Sequence, residues 1–261
     1  SEQTEGDRPR VIVARVSGIV NPVMLGYFER VVAQASSERA AAVLIQLDTP
    51  GGLESSMREI VQLIINSDVP VIVHVYPPGG RAASAGLFIL QAAHVAAMSP
   101  NTNVGSAHPV SLAPGGQGQL TQPTDDVLAE KVTNDAVALI RNLAETRNRN
   151  VDWAESAVRE SVNVGSIDAL EMNIVDIIAA NTEDVLEKAA GRTVEVNGEA
   201  VTLILRDAQI VSSEMTTLER IGHAISDPNI AYILLTIGVY GLIYELANPG
   251  LVFPGAIGVI S

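Results

Sequence analysis

Ser84 is the residue of this sequence best placed to act as a nucleophile. It lies in the stretch 77–86 (PPGGRAASAG), between an apolar run, 69–76, and a run of small residues, 82–93, with helical character. The pattern places a hydroxyl at a helix N-terminus, where backbone N–H groups are free and an anion is favoured. Small neighbours would let a substrate backbone approach closely. A helix cap or a packing residue explains the same serine.

Two backbone N–H groups are candidates to bind the oxyanion that attack by Ser84 would create. Gly51 and Gly52 follow the apolar run 42–47, one strand–helix unit before Ser84. Parallel sheets place their binding crevice at the carboxyl ends of strands, and glycine lets an N–H face a reacting oxygen without a Cβ in the way. The N–H of Ala85 would be the second donor. A tight strand-to-helix turn explains the glycines equally well.

Histidine is poorly placed to be the base. Only His108 lies in a loop that could reach Ser84, and the four histidines form no His-x-x-x-His pair: His74, His94, His108 and His223. The absence of cysteine excludes thiol catalysis, disulfides and thiolate metal sites. We therefore expect neither a metal nor another cofactor.

Lys131 is a better candidate for the base. The sequence has two lysines, Lys131 and Lys188, against 14 arginines, and lysine can lose its proton in a protein whereas arginine cannot. Burial against Val127 and Leu128 on the same predicted helix would favour the neutral amine that a general base needs. An exposed ion pair with Glu130 or Asp135 is the competing interpretation.

The elements that position these residues follow a strand–helix alternation. Near-continuous apolar runs separated by helical patterns predict an α/β fold with a parallel sheet covered by helices on both faces. The predicted strands are 11–16, 42–47, 69–76, 95–98 and 174–178. Asn197-Gly198 predicts a hairpin. The loop 107–123, rich in Gly, Pro and Gln, is expected to cover the cleft as a lid.

The two ends of the chain differ in character. We expect residues 1–10, which are polar, to form a disordered N-terminal tail, and 11–226 to form the main domain. Asp227 is followed by residues 228–261, in which Glu245 is the one charge. A membrane span needs about 20 apolar residues, so 227–261 is expected to begin a transmembrane region, with a buried helix as the alternative. The net charge of −14 argues against a nucleic-acid partner and fits an anionic membrane surface poorly.

Three motifs together resemble the membrane-bound serine proteases of the NfeD family, the partners encoded with stomatins, which have the Clp-protease/crotonase fold. The motifs are DTPGG at 48–52, ASAG at 83–86 and EKVTN at 130–134, and the likeness covers about residues 11–190. The resemblance implies that Ser84 is the nucleophile, Lys131 the general base, and the N–H groups of Gly52 and Ala85 the oxyanion hole, with Gly51 next to it.

The resemblance also implies partners and a location. It implies cleavage of apolar peptide segments, including the C-terminal region of a stomatin-type membrane protein. It further implies a homo-oligomer, a dimer or larger, anchored in the cell membrane with its protease domain extracytoplasmic. Two other classes stay open: a non-catalytic assembly partner of a stomatin-like protein, and a crotonase-type acyl-CoA enzyme, which the acidic composition disfavours.

Overall fold

A six-stranded parallel sheet forms the centre of the fold. The computed structural model describes residues 8–109 and 123–247. Its strands are β1 (Arg10–Ser17), β2 (Ala42–Asp48), β3 (Val71–Val75), β4 (Arg81–Ala83), β5 (Val95–Met98), β6 (Asn103–Gly105), β7 (Asn163–Gly165), β8 (Ile177–Ile178), β9 (Thr193–Val196), β10 (Glu199–Thr202) and β11 (Gln209–Ser212). The large sheet has the order β11-β1-β2-β3-β5-β8, and all its neighbouring strands are parallel.

Helices cover both faces of this sheet. The helices of this unit are α1 (Pro22–Ser37), α2 (Glu54–Ile65), α3 (Ala85–Ala92), α4 (Pro123–Thr146), α5 (Val151–Arg159), α6 (Ser166–Glu171) and α7 (Thr182–Ala189). Two further helices, α8 (Thr217–Ile225) and α9 (Pro228–Ala247), belong to a second unit described below. Helix α1 packs on β1 and β2, and α3 packs on β3. On the opposite face, Val185 and Leu186 of α7 join the same core cluster as Leu44 of β2. The predicted parallel sheet between helical layers is confirmed.

A second, smaller sheet positions Ser84. Its order is β4-β6-β7, with β4 parallel and β7 antiparallel to β6. Thr49, directly after β2, also pairs with β4: its N–H donates to the Arg81 carbonyl at 2.8 Å, and the Ala83 N–H donates to the Thr49 carbonyl at 3.1 Å. The predicted helix over 82–93 was therefore too long, because this pairing keeps 81–83 extended. Helix α3 begins at Ala85.

The predicted hairpin is present, whereas strands β4, β6, β7 and β11 were not predicted. Strands β9 and β10 pair antiparallel around Asn197 and Gly198, which have φ angles of 51° and 80°. Strand β11 pairs parallel with β1 at the sheet edge. Its residues are mostly exposed, with Ile210 at 41%, so the sequence there lacks the apolar run that marks a buried strand.

The described residues divide into two compact units after Glu214. In the second unit, no single described helix is long and apolar enough to cross a bilayer; Thr217–Ile225 and Ile230–Tyr244 reach that length and composition only as a pair, bent by 77°. Several expectations fall outside the described residues: 1–7 of the predicted tail, 110–122 of the predicted lid and 248–261 of the predicted transmembrane region. Residue Arg10 of that tail belongs to β1.

Candidate active site

Ser84 connects β4 to α3 in a strained backbone conformation. Its φ and ψ are 52° and −117°, a combination that glycine adopts readily and other residues avoid. Its N–H donates to the Gly105 carbonyl at 3.2 Å, which ties the residue to β6. Ser84 occupies the N-cap position, but its side chain makes no capping hydrogen bond. The cap interpretation is therefore excluded, and a strained residue with an uncommitted hydroxyl is typical of functional sites.

Gly51 contacts the Ser84 side chain directly. A Cβ built on Gly51 would lie 2.6 Å from Ser84 Cβ and 3.0 Å from Ser84 Oγ, and the φ of Gly51 is +119°. The Gly51 N–H donates to Thr49 Oγ1 at 3.0 Å, so this N–H already has an acceptor and is not free to bind an oxyanion. The expectation that Gly51 contributes to the oxyanion hole needs correction in this respect: Gly51 makes room for the nucleophile and supplies no free donor.

We expect Gly51→Ala to reduce both stability and the reactivity of Ser84. The positive φ alone costs an alanine on the order of 1 kcal/mol, and the overlap with the serine side chain adds to that cost. Gly79→Ala is the matched control, because Gly79 also has a positive φ (+88°) but has open space around its would-be Cβ. Urea unfolding should show both variants destabilised, Gly51→Ala more so, whereas covalent labelling of Ser84 should fail only in Gly51→Ala. Equal labelling of both variants would contradict this role.

Gly52 and Ala85 keep free N–H groups beside Ser84. Gly51 and Leu53, the neighbours of Gly52, make the backbone hydrogen bonds to Val20, which leaves the N–H of Gly52 pointing away from Val20. A Cβ on Gly52 would lie 2.2 Å from the Val20 carbonyl oxygen, so only glycine fits. Ala85 is in the first turn of α3, where N–H groups have no intrahelical acceptor. Within the described part of the chain, neither N–H donates a hydrogen bond.

An apolar cavity of about 200 Å³ opens beside these groups. Ser84, Gly52 and Ala85 line it together with Leu53 and Met57 of the α2 region. Phe88, Ala107, Pro109 and Ala136 add to its apolar wall, and Glu54, which pairs with Arg58, is the charged residue of the lining. Such a cavity fits an apolar side chain, and its volume is below the usual range for small-molecule sites.

Lys131 is not buried in the single chain. Its side chain is exposed on α4, and Val127 and Leu128, which were expected to cover it, are themselves 52% and 62% exposed. Asp135, the expected ion-pair partner, binds Arg58 of α2 instead. In the described residues no hydrogen bond or ion pair involves Lys131. The structure does place Lys131 on the helix whose Ala136 lines the Ser84 cavity.

Two residues that the sequence did not single out hold the site in place. Thr49 is fully buried, and its hydroxyl both accepts from the Gly51 N–H and donates to the Gly51 carbonyl at 3.1 Å. Arg149 is fully buried as well and donates to the carbonyls of Leu90, Gln91 and Ala93 at the C-terminal end of α3. The role of Thr49 could have been predicted from its position in the motif at the end of β2. No sequence pattern near Arg149 indicates that its side chain contacts α3.

The buried histidines have structural environments. Burial lowers the pKa of His74 to about 4 and that of His94 to about 3, the latter with help from the nearby Arg147 charge. His74 Nε2 contacts the Ala179 carbonyl at 3.1 Å, and His94 Nδ1 accepts from the Val71 N–H at 3.1 Å. His108 Nδ1 lies 2.9 Å from the Val158 carbonyl. Over the described ranges, no cluster of three His, Asp or Glu could hold a metal.

These two histidines predict a loss of stability on acidification. Both pKa values are lower in the folded protein than the ordinary value of 6.5, so the unfolded chain binds more protons and acid favours unfolding. Between pH 6.5 and 5, each should lower the free energy of unfolding by about 1.4 kcal/mol per pH unit once its unfolded form is protonated. Urea unfolding at several pH values measures this slope. His94→Gln should reduce the slope, whereas Ser55→Ala, which removes no titratable group, should not; equal slopes in both variants would refute the assignment.

Two family models match the chain. The model for the NfeD1b N-terminal domain matches residues 10–213, and the model for the NfeD integral membrane domain matches residues 229–261. Together they account for both compact units, since the first match ends within the first unit and the second begins within the other.

Two curated relatives match almost the whole chain. It is 34% identical over 252 residues to the membrane-bound protease PH1510 of Pyrococcus horikoshii, with 96% of this chain and 56% of that protein covered. It is 27% identical over 260 residues to the membrane protein NfeD1b of Bacillus subtilis, with 98% of this chain and 55% of that protein covered. The chain therefore spans about half the length of these relatives.

Solved structures of the 1510-N membrane-bound stomatin-specific protease share the fold. A serine-to-alanine mutant matches with a TM-score of 0.74 at 32% identity, covering 80% of this chain and 99% of that chain. A lysine-to-alanine mutant in complex with a substrate peptide matches with a TM-score of 0.76 at 31% identity, covering 84% of this chain and 98% of that chain. Fold and sequence therefore agree on the same group of proteins.

Proposed function

The chain belongs to the NfeD family, and we propose that it is a membrane-anchored serine endopeptidase in which Ser84 and Lys131 form the catalytic dyad. The observation that carries the proposal is the environment of Ser84. Its strained backbone presents an uncapped hydroxyl to an apolar cavity beside two free N–H groups. In this proposal residues 11–226 form the protease domain and 227–261 begin the transmembrane region.

The proposed mechanism moves one proton between two side chains. Neutral Lys131 accepts the Ser84 hydroxyl proton while Ser84 Oγ attacks the peptide carbonyl carbon. The N–H groups of Gly52 and Ala85 bind the oxyanion of the tetrahedral intermediate. Protonated Lys131 then donates to the leaving amine as the C–N bond breaks. Water, deprotonated by Lys131, hydrolyses the acyl-enzyme and returns Ser84 to its hydroxyl form.

A second copy of the chain is the partner that would complete this dyad. Lys131 is exposed in the single chain, and a lysine that acts as a general base needs a surface that buries it. The exposed apolar side chains of Val127 and Leu128 lie beside it on α4, so a protomer covering them would also dehydrate Lys131. We therefore propose a homo-oligomer, a dimer or larger, whose cleavage rate per chain rises with protein concentration. A rate per chain that is independent of concentration would exclude this requirement.

The proposed substrate is an apolar peptide segment of a stomatin-type membrane protein. The cavity wall of Leu53, Met57 and Phe88 supports an apolar side chain next to the cleaved bond. The structurally similar proteases are described as stomatin-specific. We further propose that the protein resides in the cell membrane and that its protease domain is extracytoplasmic; the membrane location agrees with the match of residues 229–261 to an integral membrane domain.

A serine-reactive fluorophosphonate tests the proposed activity. The intact protein in detergent or lipid is treated with the probe, digested and analysed for the labelled serine, in parallel with cleavage of an apolar peptide. We expect one adduct, on Ser84, and cleavage that the probe blocks. A folded protein that neither labels nor cleaves would instead be a non-catalytic assembly partner.

A further inference from the structure

Helix α8 exposes a continuous apolar stripe. Leu218, Ile221 and Ile225 are 81%, 52% and 50% exposed. Their spacing of three and four residues places them on one face of the helix, and Arg220 and His223 fall on the opposite face. No residue of α8 is buried in the described part of the chain. A helix this short would not keep three large apolar side chains in water without a partner surface.

The helix is well formed at its start, so the stripe has a fixed direction. Thr216 and Glu219 form a capping box in which the Glu219 N–H donates to Thr216 Oγ1 at 3.2 Å and the Thr216 N–H donates to Glu219 Oε2 at 2.7 Å. Such reciprocal bonds satisfy two N–H groups that a helix start leaves open. The apolar stripe is therefore a property of an ordered helix rather than of a coil.

The next helix, α9, indicates which surface the apolar stripe of α8 contacts. Helix α9 is apolar all round, and its residues from 229 onward match the NfeD integral membrane domain. Helices α8 and α9 meet at 77°. If α9 enters the bilayer near its normal, α8 lies close to the membrane plane. Tyr232, 71% exposed one turn into α9, has the side chain that favours the headgroup level.

We propose that α8 lies in the interface of the lipid bilayer, with Leu218, Ile221 and Ile225 inserted among the upper acyl chains. A position within the hydrocarbon core is disfavoured because Glu219 and Arg220 would lose their hydration there. Zwitterionic lipid is sufficient for this contact, because the chain carries a net charge of −14 and gains nothing from anionic headgroups. Apolar burial thus provides the attraction.

Single-cysteine labelling tests this position, because the natural sequence contains no cysteine. Leu218→Cys and Ile221→Cys sample the apolar face, and Arg220→Cys and His223→Cys sample the polar face two residues further along. Each variant is labelled with an environment-sensitive fluorophore and reconstituted into phosphatidylcholine vesicles whose acyl chains carry bromine near the interface. We expect bromine to quench the apolar-face labels at least about threefold more than the polar-face labels.

Three outcomes would overturn the proposal. Equal strong quenching on both faces would place α8 inside the hydrocarbon core as part of a broken span. Weak bromine quenching with full access to aqueous iodide would leave the stripe in water, and weak quenching by both reagents would show that protein covers it. Ile225→Cys repeats the apolar-face measurement far from the capping box, in case a label at Leu218 disturbs the first turn. The residues that line the Ser84 cavity keep their natural identity in all these variants, so an inactive but correctly inserted protein would refute only the protease proposal.

Discussion

Ser84→Ala is expected to abolish peptide cleavage while the protein stays folded. Removing the nucleophile of a serine protease lowers kcat by about 10⁴-fold to 10⁶-fold, because only binding and oxyanion stabilisation remain. The half-buried Ser84 side chain makes no hydrogen bond in the described residues, so its loss should change the free energy of unfolding by less than about 1 kcal/mol. Cleavage of an apolar peptide and urea unfolding measure the two effects separately.

Ser84→Gly separates the effect of backbone strain on stability from the effect of the lost hydroxyl on activity. Because φ of 52° with ψ of −117° suits glycine, Ser84→Gly should be more stable than Ser84→Ala by about 1 kcal/mol while being equally inactive. Ser55→Ala, an exposed serine at the start of α2, is the control for non-specific effects and should keep full activity. If Ser84→Ala cleaves at the wild-type rate, the nucleophile lies elsewhere and the assignment of the site is wrong.

The sequence predicted those parts of the fold that local periodicity encodes. Strand β2 is a near-continuous apolar run because both its faces are buried, and the Asn197-Gly198 turn has the positive φ angles that this pair favours. Strand β4 could not be predicted in this way. Residues 81–83 are extended because they pair with Thr49 and β6, which lie far away along the chain, whereas their own composition favours a helix.

The candidate site, like the fold, has features that the sequence predicted and features that it did not. The types and order of Gly51, Gly52, Ser84 and Ala85 were enough to place them together, because strand ends of one parallel sheet meet at one edge. The sequence could not show that Thr49 Oγ1 already accepts the Gly51 N–H, since that bond depends on a side-chain rotamer. It also could not show that Lys131 is exposed in the single chain, because helical spacing alone does not say what covers a face.

Lys131→Ala is expected to lower kcat/KM for peptide cleavage by about 10³-fold or more without affecting stability. The exposed Lys131 side chain makes no ion pair in the described residues, so its removal should change the free energy of unfolding by less than about 0.5 kcal/mol. Lys131→Arg should be equally inactive, because a guanidinium keeps the charge but cannot accept a proton. Peptide kinetics and urea unfolding on the same samples measure both quantities.

Lys188→Ala is the matched control for Lys131, because it removes the other lysine of the chain. Lys188 donates to the Ile178 carbonyl at 2.9 Å and pairs with Asp184, so its loss should reduce stability slightly and leave cleavage unchanged. We therefore expect opposite effects from the two variants. Lys131→Ala should lose activity and keep full stability, whereas Lys188→Ala should keep full activity and lose some stability. A Lys131→Arg variant with wild-type activity would show that this position contributes charge and that another group accepts the serine proton. Full activity in Lys131→Ala as well would remove the dyad altogether, because the free hydroxyl of Ser84 would then need a different base.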